Sequence, residues 1–288
     1  MASPELRLHG GGRVALPAGR PLVMGILNAT PDSFSDGGDL LAADGTVHAQ
    51  QVRRRARELA EAGADLLDLG GESTRPGHAP VPEASELLRV LRVLPLVGEA
   101  APQVPVSVDT RRAAVAHAAL QAGAGFVNDV SGLSDPGMAA IVREAGCSIV
   151  LMRSQPIHGD LLQGCRQQLR DLVGVARGAG IPAGALVVDP GLGFGDPPGG
   201  DPAANLALLR GAPVYGDGLP VLVGASRKRF LGTLTGIQAA RGRALPSAVA
   251  AVLAAQAGAS ILRVHDVAET VQALRVAGLR DPPGPGRA

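Results

Sequence analysis

A polar or charged residue recurs at or shortly after the end of each of eight short apolar runs: Asn28, Asp68 with Glu72, Asp109, Asn128, Arg153, Asp189, Ser226 and His265. Any one of them reads equally well as a turn residue or a helix cap. The recurrence along the whole chain is hard to assign to capping alone. Asp109, Asp189, Asn28 and Asn128 together suit a ligand rich in N–H donors, because a carboxylate accepts two parallel hydrogen bonds and an amide both donates and accepts. That description fits a polar nitrogen heterocycle. Arg75, Lys228, Arg263 and His265 add cations at the same strand ends, and arginine is the bidentate partner of phosphate. The residues point to a site for a phosphorylated nitrogen heterocycle. No His/Cys cluster has the spacing of structural zinc.

These residues need elements that bring them together. The apolar runs are 22–27, 64–69, 104–108, 125–127, 147–152, 185–188, 220–223 and 260–264, each short enough to be a strand buried on both faces. Segments with helical periodicity lie between and after them, at 46–62, 82–99, 111–122, 136–145, 161–179, 202–209, 246–257 and 268–277. Asp135-Pro136 and Asp201-Pro202 read as helix caps followed by first-turn prolines. Gly63, Gly123, Gly146, Gly180, Gly258 and Gly278 follow helix ends, where a left-handed residue is wanted. Eight strand-helix units of this length predict an α/β fold, a single (β/α)8 TIM barrel, whose functional residues gather at the C-terminal ends of the strands. A doubly wound open sheet is the alternative, but no G-x-G-x-x-G follows the first strand and no second domain is visible. Residues 6–16 read as a short N-terminal β-hairpin placed to plug the N-terminal mouth of the barrel. The domain is expected to span 1–280, with a disordered tail at 281–288.

Composition removes several functions. A net charge of +1 gives no electrostatic case for nucleic acid or an anionic membrane. No apolar run approaches the ~20 residues of a membrane span, and the N-terminus lacks the build of a signal peptide. Two cysteines, Cys147 and Cys165, form no disulfide framework and read as reduced thiols of a cytoplasmic protein.

Seven segments carry a resemblance. They are 25–38 (GILNATPDSFSDGG), 68–77 (DLGGESTRPG), 107–110 (SVDT), 128–131 (NDVS), 189–195 (DPGLGFG), 226–229 (SRKR) and 263–265 (RVH). In this order, and over nearly the whole chain, they resemble the bacterial dihydropteroate synthase family. The family condenses a hydroxymethyl-type dihydropterin pyrophosphate with p-aminobenzoate, giving dihydropteroate and pyrophosphate, with Mg2+. The resemblance implies that Asp109, Asn128 and Asp189 read the pterin edges and that Lys228 reaches the pterin carbonyl side and borders the aminobenzoate pocket. It implies that Arg263 lies along the pterin and, with His265, Asn28 and Arg75, holds pyrophosphate, Asn28 also being the metal contact. Thr74, Pro76 and Phe194 would flank aminobenzoate, whose carboxylate would meet the helix start near Lys228 and Arg229. Thr30 and Met152 complete the implied substrate contacts. The implied chemistry is dissociative: pyrophosphate leaves first and the arylamine then attacks a pterin methylene cation. A cation needs shielding from water, so residues 29–38, hinged at Gly37-Gly38, are expected to form a lid with Phe34 over the aminobenzoate, and 73–77 to close beside it. A homodimer formed through the helices at 246–257 and 268–277 is expected.

The sequence departs from the family pattern at Arg153, where the family has His, and at Asp196, where it often has Lys. Residues 197–200 look inserted. Arg53–Arg55 read as a solvated helix face, Glu72 as an orienting residue, and His9, His48, His78, His117 and His158 as surface or packing residues. Two other readings stand beside the synthase: a catalytically silent paralogue that binds pterin, and a methyltetrahydrofolate:corrinoid methyltransferase. The intact 28–38 and 226–230 segments favour the synthase over the latter.

Overall fold

The protein is described here by a computed structural model covering residues 4–30, 40–42, 45–72, 81–194 and 200–282. Phe34, Thr74, Arg75, Pro76 and Asp196, residues 31–38 and 73–77 of the two expected loops, and the tail from 283 fall outside those residues.

Eight strands form one parallel sheet: β3 (Leu22–Asn28), β4 (Leu66–Gly70), β5 (Val106–Asp109), β6 (Phe126–Asp129), β7 (Ile149–Met152), β8 (Leu186–Asp189), β9 (Leu222–Val223) and β10 (Ile261–Val264). Their order is β8-β7-β6-β5-β4-β3-β10-β9. A parallel bridge between Val188 and Val221 joins the two ends, so the sheet curls into a nearly closed barrel. The apolar runs are buried on both faces, as helices wrapping a parallel sheet require. Those helices include α1 (Ala49–Glu61), α2 (Glu83–Ala100), α3 (Ala113–Gln121), α4 (Met138–Ala145), α5 (Leu161–Gly178) and α6 (Pro202–Arg210). α1 shows how they dock: Val52, Ala56 and Leu59 lie one turn apart on the buried face.

The N-terminal hairpin is β1 (Glu5–Arg7) against β2 (Arg13–Ala15). It sits at the bottom of the barrel. Its backbone bonds the residues that enter β6 and β7, through His9 N to Gly125 O at 2.6 Å and Ser148 N to Arg7 O at 2.8 Å. Leu6 is fully buried there.

The structure corrects several local expectations. The first helix starts at Ala49 rather than 46, because Val47 pairs with Leu41 in an antiparallel bridge. Asp135 does not cap the helix that follows it, which starts at Met138 with Gly137 before it. Its carboxylate instead accepts from the first amide of α3, Ala113 N, at 2.8 Å and from Gly137 N at 2.9 Å. Asp201 does cap its own helix, accepting from Ala204 N at 2.8 Å. Two short helices were not foreseen by periodicity, α7 (Ala212–Tyr215) and α8 (Arg229–Thr235); α9 (Ala244–Gln256) and α10 (Val267–Val276) then close the outer ring. No helix among the described residues is long and apolar enough to cross a membrane.

Candidate functional site at the C-terminal strand ends

Strand register gathers the polar residues. Asn28 pairs with Gly70, Gly70 with Asp109, and Asp109 with Asn128. Met152 pairs with Asp189 further around the barrel. The last residues of β3, β5, β7 and β8, and Asn128 one residue before the end of β6, therefore form a rim. Gly70 leaves room between Asn28 and Asp109, since a Cβ there would lie 3.6 Å from that of Asp109 and 3.8 Å from Asn28 Oδ1.

Arg263 is the centre of the buried charge. Its Nε donates to Asp68 Oδ2 at 2.5 Å and its Nη2 to Asp109 Oδ2 at 2.6 Å. Asp68 has no exposed surface and is fully engaged: Ser107 Oγ donates to Oδ1 at 2.5 Å, and Asn128 Nδ2 to Oδ2 at 3.2 Å. Because a carboxylate only accepts, the Asn128 amide must turn its NH2 toward Asp68 and present its oxygen to the mouth. Asn128 Oδ1 and Asp109 Oδ1 are buried and have no partner among the described residues. Buried acceptors are ordinarily paired, so these two orphans mark where a donor belongs.

The electrostatics agree with the geometry. Burial lifts the Asp109 carboxyl to about 7; Arg263 opposes this and Asp68 adds to it. Burial also raises Asp189, against the pull of Lys228 and of the Gly191 amide, which donates to Asp189 Oδ1 at 2.7 Å. Lys228 is lowered to about 8 by burial, with Arg263 and Arg153 pushing the same way and Asp189 resisting. Asp68 and Asp109 hold the guanidinium of Arg263 above its ordinary range in spite of burial. Groups shifted in opposite directions around one mouth are what a functional site produces.

The right-hand wall is built by Lys228, whose ammonium donates to the Leu192 carbonyl and lies 5.0 Å from the centroid of the Phe194 ring. Gly191, at φ +65°, lets that loop pass against the Arg153 carbonyl where a Cβ would collide. Arg153 is buried, donating to Gln155 O at 2.7 Å and Phe194 O at 3.5 Å, so the departure from the family's His braces the wall from behind. Thr30 and Met152 are buried at the rim, and Arg229 is exposed as the first residue of α8. Cys147 and Cys165 are buried thiols whose pKa burial pushes up to about 11, which leaves them unreactive.

Not every expected residue joins the acid cluster. His265 bonds Ser226, with Nδ1 3.0 Å from Oγ, and borders a cavity of about 370 Å3 lined by Arg55, Arg227, Arg241 and Asp266 on the outer side of the rim. Arg263 was expected along the pterin and in contact with pyrophosphate; its guanidinium lies among the acids, paired with Asp68 and Asp109. Sequence reasoning gave Asp68 no role, although an acid inside the run LLDLG was itself the signal. Arg227, at φ +58°, pairs with Asp266 at 2.9 and 2.5 Å and is structural.

The sequence family described as pterin binding enzyme matches residues 24–265. The dihydropteroate synthase of Mycobacterium leprae is 43% identical over 274 residues, covering 89% of this chain and 92% of that protein. A probable bifunctional folylpolyglutamate synthase/dihydropteroate synthase of Haloferax volcanii is 43% identical over 271 residues; they make up 90% of this chain but 31% of that longer protein. The solved structure of Xanthomonas albilineans dihydropteroate synthase with 4-aminobenzoic acid superposes with a TM-score of 0.86 at 42% identity, covering 98% of this chain and 100% of that one.

Proposed function

The chain belongs to the pterin binding enzyme family, and from that membership we propose that it is a dihydropteroate synthase, a transferase that joins the pterinylmethyl group of a hydroxymethyl-dihydropterin pyrophosphate to p-aminobenzoate. The observation that carries the reading is the pair of buried orphan acceptors, Asp109 Oδ1 and Asn128 Oδ1, at the floor of a mouth walled by Lys228 and Arg263. A pterin edge offers adjacent ring and amino N–H donors, and these two oxygens with the Asp189 carboxylate accept them. The pterin carbonyl faces Lys228. Aminobenzoate, half apolar and half anionic, lies along Phe194 toward Lys228 and Arg229.

The reaction breaks the bond between the methylene carbon and the pyrophosphate oxygen, which keeps the electron pair. The electron-rich pterin stabilises the resulting cation. The amine lone pair then forms the new C–N bond and an N–H proton is lost. Cations at the rim lower the barrier by meeting charge as it develops on the leaving group. Arg75 and His265 take this role. Arg263 takes part as well, and releasing its contact with Asp109 frees a second oxygen of that carboxylate for the pterin.

Magnesium fits this arrangement. Among the described residues no group of three or more His, Cys, Asp or Glu could hold a metal alone. The amide oxygen of Asn28, at the end of β3, is a hard ligand of the kind Mg2+ accepts when substrate phosphates and water supply the rest. An ion held by Asn28 would supply positive charge against the departing pyrophosphate.

The functional unit is a homodimer. Leu245 (74% exposed) and Val249 (52% exposed) stand one turn apart on α9, an apolar pair that a second copy would cover. Incubating the pure protein with dihydropterin pyrophosphate, p-aminobenzoate and Mg2+ tests the activity. Release of pyrophosphate that requires both substrates is the expected result. Binding of pterin without release would instead identify a silent paralogue.

A further inference from the structure

Glu72 follows β4 and Val81 precedes α2; between them lies the segment 73–80. Arg112 bonds both flanks, and Arg111 adds two contacts of 3.2 Å to Glu72 alone. Arg112 Nη1 donates to Glu72 Oε2 at 2.9 Å, and Arg112 Nη2 donates to the Val81 carbonyl at 2.6 Å. The Val81 amide donates to Glu72 Oε1 at 2.9 Å, so the flanks are also bonded to each other. The same Nη1 donates to Glu86, which has no exposed surface and whose Oε1 accepts from Thr110 Oγ1 at 2.6 Å. Thr110 is the residue after Asp109. Gly71 lies so close to α2 that a Cβ would stand 3.0 Å from the Glu86 carbonyl, and Arg89 donates to the Gly71 carbonyl at 3.0 Å. Few surface arginines are built in this way. Nη1 and Nη2 of its planar fork donate to acceptors at Glu72, Val81 and Glu86, and with Arg111, which also donates to Glu72, it neutralises two buried carboxylates that would otherwise face each other.

We infer that Arg112 is a positioning residue for the condensation: through Glu72 and Val81 it fixes the separation of the two flanks of segment 73–80, and through Glu86 and Thr110 it ties them to the strand end that bears Asp109. The inference rests on the proposed function, in which Arg75 of that segment meets pyrophosphate. Arg112 touches no reacting atom. Its effect falls chiefly on the part of the substrate that Arg75 handles, because Thr110 keeps its place at the end of β5 through the backbone bond to the Asn128 carbonyl while the flanks of 73–80 depend on the side-chain contacts.

The test compares two ligands on the intact protein. In R112M the aliphatic stem remains and the donors are lost. Its kcat/KM for dihydropterin pyrophosphate is expected to fall about tenfold or more, while the affinity for the same hydroxymethyl-dihydropterin lacking pyrophosphate, measured by calorimetry, changes less than about twofold. R112K, which keeps the charge but not the fork that reaches Glu72 and Val81 together, is expected to recover only part of the loss. E72A leaves the buried Arg112–Glu86 pair in place and removes the carboxylate through which Arg112 holds the first flank, and the same selective loss is expected from it. Unchanged kinetics in R112M or E72A would overturn the role of Arg112. So would an equal loss of affinity for both pterins, which signals a general loosening of the barrel. A parent protein that releases no pyrophosphate would instead overturn the functional reading itself.

Discussion

Asp109 carries two opposed demands. In the proposed function its carboxylate is ionised to accept pterin N–H groups, yet burial raises its pKa to about 7. In the same proposal Lys228 is charged where it faces the pterin carbonyl and aminobenzoate, yet burial lowers it to about 8. A free protein with both groups in their working states exists only in a narrow window. The kcat/KM profile is therefore expected to be bell-shaped, with an acid limb near 7 from Asp109 and an alkaline limb near 8 from Lys228. A profile flat from pH 6 to 9, a range of about three units, would contradict this assignment. Stability follows with a definite sign. An aspartate raised above its unfolded pKa binds more protons folded than unfolded, so between the ordinary aspartate value of 3.8 and about 7 the protein loses stability as pH rises. The penalty is complete above the folded pKa. Asp109→Asn removes the titration while Asp68 still pairs Arg263. The variant is expected to melt a few degrees higher than the parent at about pH 8 and to lose its pterin affinity. Calorimetric melting across pH checks the slope. Neither the pairing of Arg263 with Asp68 and Asp109 nor these shifts could be read from sequence. The residue types were visible, but the contact spans 195 positions and depends on barrel register.

At the scale of elements, what the sequence made legible was what is local. Strand runs, helix periodicity and the Asp201 cap depend on residues within one or two turns, and they appear where the pattern put them. Gly63 and Gly146 end helices at φ +98° and +65°, as their positions suggested. Asp135 shows where local reasoning stops. The cap-plus-proline pattern is present, but the carboxylate finds a stronger claim across the barrel wall at the first amide of α3. Periodicity missed α8, because seven residues stand out too little from a loop; only the resemblance implied a helix start near Lys228 and Arg229, where α8 begins. The two acceptor contacts of Asp135 join α3 to the β6–α4 connection. Asp135→Ala is therefore expected to lower stability by about 1–2 kcal/mol, the range for losing a helix-terminal acceptor. Denaturant unfolding measures the change. A loss below about 0.5 kcal/mol would mean that water replaces the carboxylate at no penalty.

For the whole molecule the question is what covers the outer ring. A barrel solves its inner packing by closing on itself, here through the single bridge between Val188 and Val221, which joins the end of β8 to the short β9. The helices on that side then bear part of the burden. α9 is dominated by alanine, burying Ala248, Ala250, Ala251, Ala254 and Ala255 against the barrel while turning Leu245 and Val249 outward. α10, packed beside it, turns Val276 outward at 92% exposure. Small residues inward and branched residues outward invert the usual pattern of a surface helix. Single exposed apolar residues need no explanation, but a pair one turn apart on a helix whose inner face is already satisfied does. A second copy seated on α9 would supply it, provided the contact buries on the order of 1,000 Å2 or more. The double variant Leu245→Glu with Val249→Glu places two carboxylates at the centre of that patch and, across a two-fold axis, doubles the repulsion. Sedimentation equilibrium is expected to show a dimer for the parent and a monomer for the variant, with the helical circular-dichroism signal unchanged. The strand ends carrying Asp109 and Lys228 belong to the same chain as their partners Arg263 and Asp189. The monomer is therefore expected to retain pterin binding within about twofold. A variant that stays dimeric would move the interface off α9, and a monomer that loses pterin would show that the barrel depends on its partner to hold the mouth in shape.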